Sequence, residues 1–253
     1  MGALHDGHLD LVAKSRSSCD VTIVSIFVNP TQFNSPEDFQ KYPNTLDQDL
    51  EKLEQAGVDY VFLPSVEVIY PTPTQLKFDF GELEHVLEGT FRPGHFNGVG
   101  VVVSKLFHLI RPHVAFFGQK DLQQVAIIKR LVNDLSFGLK MEVVATRRES
   151  DGLAMSSRNL RLSKKEREKA LILFNSLTIA KAELLGGKNW LEIQLQIERE
   201  FENDPSAKLE YFDLIHPDTF ETYTTFDPTQ KSSICVAAFL GDIRLIDNMP
   251  IIS

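Results

Sequence analysis

His5 and His8 stand three positions apart in Met1-Gly-Ala-Leu-His-Asp-Gly-His8, with Gly7 between them. If a first helical turn begins between them, both imidazoles fall on one side of it. Gly7 removes a side chain where a phosphate or a large planar ligand would approach. The N–H groups at a helix start add positive potential for an anion. Imidazoles donate hydrogen bonds to phosphate oxygens and change charge near neutral pH. The chemistry predicted is triphosphate binding, with stabilisation of the charge gathering on a departing pyrophosphate. Two ordinary surface histidines are the competing reading. Zinc fits less well, because two imidazoles are half of a tetrahedral set and neither cysteine is near in sequence.

Other polar clusters follow apolar runs. Phe27-Val-Asn-Pro-Thr-Gln-Phe33 sets Asn29 and Gln32 just beyond a strand, where open parallel sheets hold their ligands. Gln32 both donates and accepts, which suits a hydroxyl-bearing carboxylate; an amide that merely ties down Pro30 is the alternative. Asp49 reads either as a carboxylate helping to hold magnesium between phosphates or as an exposed helical aspartate. In Phe117-Gly-Gln-Lys-Asp-Leu-Gln-Gln124, Gly118 permits close approach, Lys120 supplies a mobile charge and Asp121 caps a helix or holds a hydroxyl. Gln124 lies near Asp121 on the helix face, while a solvated Lys120 and a purely capping Asp121 are the bland reading. Arg92-Pro-Gly-His95 offers Arg92 and His95 to an anion, and Met155-Ser-Ser-Arg158 offers two hydroxyls and a guanidinium to phosphate. Arg147 and Arg148 add positive potential or are simply solvated charge. No G-x-S-x-G elbow, Walker-type phosphate loop or G-x-G-x-x-G fingerprint occurs, so a nucleotide site here is of another kind.

These residues need elements to hold them. The pattern predicts a helix over 8–18, a buried strand over 21–28, a helix over 45–56 stopped by Gly57, and a strand over 58–63. It continues with a helix over 96–110, a strand over 114–117, a helix over 123–135 and a strand over 140–146. Buried strands alternating with helices predict an α/β, doubly wound, mostly parallel sheet covered on both faces. After Arg158 the grammar changes. Ser163 with Glu166 forms a capping box opening a helix to about Leu185, and a second helix runs to about Phe201. Short strands over 209–215, 233–240 and 244–247 then make a small sheet. The reading is a Rossmann-like domain over 1–147 and a smaller α+β domain over 148–253.

Composition narrows the class. The 253 residues carry a formal net charge of −9, which argues against a nucleic-acid partner. Cys19 and Cys235 lie far apart in apolar surroundings, as suits free thiols in a reducing compartment. No apolar run of about 18 residues and no signal-peptide pattern occurs. The expectation is a cytoplasmic protein with no membrane partner.

Taken as an ordered set, the blocks resemble the pantothenate synthetase family. They are Met1–His8, Ser25–Phe33, Arg92–His95, Phe117–Asp121 with Gln123-Gln124, Asp151–Asn159 and Leu240–Asn248. The H-x-G-H pattern alone would mark only the wider nucleotidyltransferase-like superfamily. The resemblance implies ATP-dependent joining of pantoate to β-alanine through a pantoyl adenylate, with AMP and pyrophosphate released. It implies catalysis by His8, His5 and Lys120. ATP is expected on Met1, Gly2, His5, His8, Gly118, Lys120, Asp121, Arg147, Met155, Ser156, Ser157 and Arg158. Pantoate is expected on Gln32 and Gln124, and β-alanine on Gln32. Asn29, Arg92 and His95 are expected in the surrounding shell, Asp49 at Mg2+, a lid-like carboxyl-terminal domain, and a homodimer.

The sequence departs from the family pattern at three places. A further helix and a Pro-Thr strand end are expected before the residue corresponding to Met1 and are absent from this chain; their loss should expose neighbouring strand edges. Tyr42-Pro-Asn-Thr45 stands for Tyr-Pro-Arg-Thr, and Gly118-Gln-Lys-Asp121 for Gly-Glu-Lys-Asp. A related nucleotidyltransferase and a non-catalytic metabolite-binding protein remain the rival readings.

Overall fold

A computed structural model describes residues 1–32, 39–40, 42–43 and 45–252. Phe33 and Asn44, which belong to two of the motifs, lie outside the described residues. The chain forms two compact units, Met1–Gln119 with Gln123–Ala145, and Lys120–Leu122 with Thr146–Ser253.

In the first unit, β1 (Ile23–Ser25) pairs in parallel with β2 (Tyr60–Phe62), and β3 (Val114–Gly118) pairs in parallel with β4 (Lys140–Val144). Among the described residues these are two separate two-stranded sheets. Helices α1 (Asp6–Ser18), α2 (Leu46–Gln55), α3 (Val66–Ile69), α4 (Glu88–Phe91), α5 (His95–Ile110) and α6 (Leu122–Asp134) accompany them. The strands are parallel as expected, but the expected cover on both faces is not seen everywhere. Ile23 and Tyr60 are register partners on one face and are 43% and 65% exposed. The strand expected over 21–28 is cut to Ile23–Ser25, in register with the equally short Tyr60–Phe62.

Two apolar clusters fix the unit. Leu4, Val12, Val24, Ile26 and Leu53 knit the histidine segment, α1, β1 and α2 together. On α5, Val99, Val103 and Phe107 recur at helical spacing and pack with Ile128, Leu131 and Val132 of α6. Each such fully buried aliphatic side chain contributes roughly 1.5–3 kcal/mol.

In the second unit, β5 (Ala207–Ile215), β6 (Ser232–Leu240) and β7 (Ile243–Ile252) form an antiparallel sheet in the order β5-β6-β7. Helices α7 (Lys164–Lys169), α8 (Leu171–Leu185) and α9 (Trp190–Glu202) complete it. The capping box is present: Ser163 Oγ accepts the Glu166 N–H at 3.3 Å, and Glu166 Oε2 accepts the Ser163 N–H at 2.8 Å. The single helix expected from Ser163 to Leu185 is broken at Ala170, a residue fully buried in the core. There Leu173, Leu177, Ala180 and Leu184 of α8 meet Trp190, Ile193 and Ile197 of α9 and the inner face of the sheet. Both cysteines are free thiols. Among the described residues, no helix is long and apolar enough to cross a membrane.

Candidate active site

The histidine turn is built from its backbone outward. His5 is the N-cap of α1, and its carbonyl accepts the N–H groups of His8 at 2.8 Å and Leu9 at 3.2 Å. The His5 N–H donates to His8 Nδ1 at 3.3 Å, so His8 fills the capping-box position that glutamate usually takes. An accepting Nδ1 assigns the proton of the neutral ring to Nε2. His8 therefore offers Nε2–H as a donor while its other nitrogen fixes the ring. The His5 and His8 rings lie 4.1 Å apart between centroids, tilted by 44°.

The strand leading out of β1 is joined to the same turn. The Phe27 N–H donates to the Met1 carbonyl at 3.2 Å, and the Met1 nitrogen donates to the Ser25 carbonyl at 2.9 Å. Met1 thus runs alongside β1, and Gly2 is buried behind it.

Helix α2 grips the turn from one side. Asp49 is 1% exposed; its Oδ2 accepts the Ala3 N–H at 2.8 Å and its Oδ1 the Leu4 N–H at 2.7 Å. Thr45 Oγ1 donates to Oδ1 at 3.1 Å, and Lys52 Nζ donates to the Leu4 carbonyl at 2.6 Å. This geometry overturns one of the two sequence alternatives for Asp49, the exposed helical aspartate. The carboxylate is not exposed, and both of its oxygens are engaged by backbone amides in a site closed to solvent, which does not fit a direct Mg2+ ligand.

Gln32 is held by several groups. Asn29, 2% exposed, donates through Nδ2 to Gln32 Oε1 at 3.3 Å and to the Gly98 carbonyl at 3.2 Å. Its Oδ1 accepts from Tyr70 Oη at 2.8 Å and from Thr31 Oγ1 at 3.0 Å. Because Gln32 Oε1 is turned towards Asn29, its amide presents Nε2, a pure donor, in the other direction. The Gln32 carbonyl accepts from His95 Nδ1 at 2.8 Å and from Arg92 Nη2 at 3.4 Å. Arg92 also pairs with Glu88 at 3.4 Å. The structure thus brings Asn29, Arg92 and His95 together around Gln32. A Cβ added at Gly98 would sit 2.5 Å from the Thr31 carbonyl oxygen, so α5 reaches this loop only because position 98 has no side chain.

The sequence alone assigns Gln123 no role. It is buried on α6, donates to the carbonyls of Leu83 at 2.8 Å and Val86 at 2.9 Å, and accepts the Glu88 N–H at 2.9 Å. Three bonds to one passing segment were not visible in a glutamine pair. Its neighbour Gln124 is half-buried on the first turn of α6. Gly118 ends β3.

The remaining expected ATP residues belong to the second unit. Lys120 pairs with Asp121 at 3.8 Å, and its carbonyl accepts from Asn248 Nδ2 at 2.9 Å. Asn248 follows Asp247, whose buried carboxylate takes two hydrogen bonds from Arg148, at 2.6 and 3.0 Å. Burial raises the Asp247 pKa against the opposing pull of Arg148. Arg148 also lies over the Phe174 ring at 4.9 Å, so of the paired arginines it is structural, whereas Arg147 is exposed. The Met155 N–H donates to the Arg147 carbonyl at 2.9 Å. Ser156 Oγ accepts the Arg158 N–H at 3.3 Å and opens a short 3₁₀ turn, Ser157–Arg161, with Ser157 buried.

Parallel strand pairs, polar amides beyond β1 and an H-x-G-H turn opening α1 define an α/β protein of the H-x-G-H nucleotide-binding class. Comparison with known proteins narrows this. The family model described as pantoate-beta-alanine ligase matches residues 1–250. A pantothenate synthetase of Leptospira biflexa is 48% identical over 255 residues, covering 100% of this chain and 89% of that protein. One of Bacteroides fragilis is 46% identical over 250 residues, covering 98% and 88%. The crystal structure of pantothenate synthetase from Thermus thermophilus superposes with a TM-score of 0.94 at 38% identity, covering 100% of this chain and 91% of that one. The Francisella tularensis pantoate-beta-alanine ligase, complexed with beta-gamma ATP and beta-alanine, matches with a TM-score of 0.81 at 38% identity, covering 99% and 87%. The chain belongs to the pantoate–β-alanine ligase family.

Proposed function

We propose that this chain condenses pantoate with β-alanine at the expense of ATP. The pantoate carboxylate oxygen attacks the α-phosphorus, the bond to the β-phosphate oxygen breaks, and pyrophosphate leaves. The β-alanine amine then attacks the acyl carbon of the pantoyl adenylate, AMP departs, and the amine loses a proton as the amide forms. No side-chain nucleophile is needed, because the adenylate is the activated acyl group. Orientation and charge stabilisation carry the rate.

In this reading His8 donates through Nε2–H to the triphosphate, with His5 and Lys120 sharing the charge that moves onto pyrophosphate. Met1, Gly2 and Gly118 bring backbone close to the nucleotide. Asp121, Arg147, Met155, Ser156, Ser157 and Arg158 bind the rest of ATP. Gln32 directs its Nε2 donor at pantoate and later at β-alanine, and Gln124 holds pantoate. Asn29, Arg92 and His95 fix Gln32. Magnesium enters as part of the Mg–ATP substrate, and no step is assigned to an ion held by Asp49. A cytoplasmic homodimer accompanies this reading, with residues 1–147 as the ATP and pantoate domain and 148–253 as a lid-like domain.

The observation that carries the proposal is the His8 ring, locked through Nδ1 with its donor nitrogen opposite. The test is product analysis with pantoate, β-alanine and ATP. Pantothenate, AMP and pyrophosphate should form in equal amounts. A nucleotide left on the product would favour a nucleotidyltransferase, and no product from folded protein would favour a binding protein. In single-turnover experiments His8→Ala should slow pyrophosphate release by about 100-fold; an unchanged rate would defeat the assignment.

A further inference from the structure

We infer that Asp49 is a positioning residue, a buried carboxylate clamp that sets the backbone of the histidine turn, and not a magnesium ligand. The inference rests on the ligase reading for its kinetic consequence but on geometry alone for the clamp.

Ala3 has φ of 51°, in the left-handed region. There a residue other than glycine costs roughly 1 kcal/mol or more. This conformation aims the successive N–H groups of Ala3 and Leu4 at one point, the arrangement that elsewhere makes an anion-binding concavity. Here the anion is supplied by the protein. Asp49 gives one oxygen to each amide, at 2.8 and 2.7 Å. The concavity is therefore filled from within and is not the phosphate site that its backbone alone would suggest.

The clamp is built on one face of α2. Thr45, Asp49 and Lys52 follow at helical spacing, and Leu53 adds an apolar contact to Leu4 in the same cluster. Asp49 holds the Leu4 N–H while Lys52 holds the Leu4 carbonyl at 2.6 Å, so both polar groups of the residue preceding His5 are fixed by one helix. His5 in turn sets His8 through the 3.3 Å bond to Nδ1. A shift of the Leu4 peptide would carry through His5 to the ring that faces ATP. A misplacement near 1 Å costs about 100-fold in rate where geometry carries catalysis.

The experiment uses the whole chain carrying Asp49→Asn or Asp49→Ala; the first preserves shape if the second does not fold. Amide hydrogen exchange is read without ATP or Mg2+. Exchange at Ala3 and Leu4 should accelerate about tenfold or more relative to the wild type, in step with the loss of a buried hydrogen bond. In parallel, the rate of pyrophosphate release should fall about 10- to 100-fold, while the Mg2+ concentration giving half-maximal rate moves less than about twofold. Unchanged exchange at Ala3 and Leu4 overturns the clamp. A lowered melting temperature with an unchanged release rate per folded molecule would reduce Asp49 to a structural residue and also overturns it, as does a tenfold shift in Mg2+ requirement. If the wild type makes no pantothenate, the ligase reading fails and exchange still decides the clamp.

Discussion

Asn29→Asp is the sharpest test of how Gln32 is presented, because it changes one atom and reverses a hydrogen-bond role. The Oδ1 side still accepts from Tyr70 Oη and from Thr31. The Nδ2 side becomes a carboxylate oxygen facing two acceptors, Gln32 Oε1 at 3.3 Å and the Gly98 carbonyl at 3.2 Å. The Gln32 amide escapes the clash by turning over, which directs Nε2 inward and, in the proposed binding mode, Oε1 towards pantoate. A donor to a carboxylate then becomes an acceptor against it. A hydrogen bond to a charged group is worth about 1.5–3 kcal/mol, so kcat/KM for pantoate should fall about 10- to 150-fold. KM for ATP should change by less than about threefold. The Gly98 carbonyl keeps its intrahelical donor in α5, so losing the Asn29 bond to it costs about 0.5–1.5 kcal/mol of stability, measured separately by urea unfolding. Burial raises the pKa of the new carboxyl group. Lowering the pH restores an O–H donor, and the pantoate defect should shrink as it does. Steady-state kinetics with each substrate varied in turn, across pH, provide the assay. If kcat/KM for pantoate in the folded variant stays within about twofold of wild type, or if ATP and pantoate suffer equally, the polarity argument is wrong.

Gly98→Ala should disturb the same loop by bulk. The added Cβ would lie 2.5 Å from the Thr31 carbonyl oxygen and 3.2 Å from Gln32 Cα, a backbone clash costing about 1–3 kcal/mol that the helix-propensity gain of about 1 kcal/mol only partly offsets. Denaturant unfolding should report the loss, and KM for pantoate should rise with it. The second unit should show a shallow acid response through Asp204. Its pKa is lowered to about 2, first by Lys169 and then by Ser206. A depressed folded-state pKa stabilises above the unfolded value near 3.8 and loses that contribution as pH falls through the folded one. Stability should therefore fall between about pH 4 and 2, by less than about 1 kcal/mol given the exposure of Lys169. Asp204→Asn should flatten that part of the urea-midpoint profile, and an unaltered profile would refute the pairing.

The elements most legible in the sequence were those whose boundaries carry their own chemistry. Ser163 with Glu166 announced a helix start, and both reciprocal bonds are made. The break at Ala170 was not legible, because neither glycine nor proline marks it. Ala170 is fully buried among α8, α9 and the sheet, and core packing outweighs local propensity there. The sequence pattern ends the last strand at Asp247, but β7 continues to Ile252, with Pro250 in register with Ser233. Proline argues against an inner strand, yet among the described residues β7 is an edge strand of its sheet, the position where proline is tolerated.

The site divides along a similar line. The residues proposed to meet ligand, such as His8 and Gln32, stand out in the sequence by type and spacing. The residues that decide which atom each offers were not, because their partners are remote in sequence. Asn29 reaches Gly98 and Tyr70, Gln123 reaches residues 83–88, and Asp49 reaches Ala3 and Leu4. Asp49 shows the consequence. In sequence it is a carboxylate in the first turn of a helix near a phosphate-binding motif, and magnesium is the natural guess. Two backbone N–H groups and the Thr45 hydroxyl take up its hydrogen-bonding capacity, so the role inferred for this carboxylate is geometry and not metal binding. The polarity of Gln32 and the tautomer of His8 follow the same logic: each is set by a hydrogen bond on the side away from the atom proposed to meet ligand.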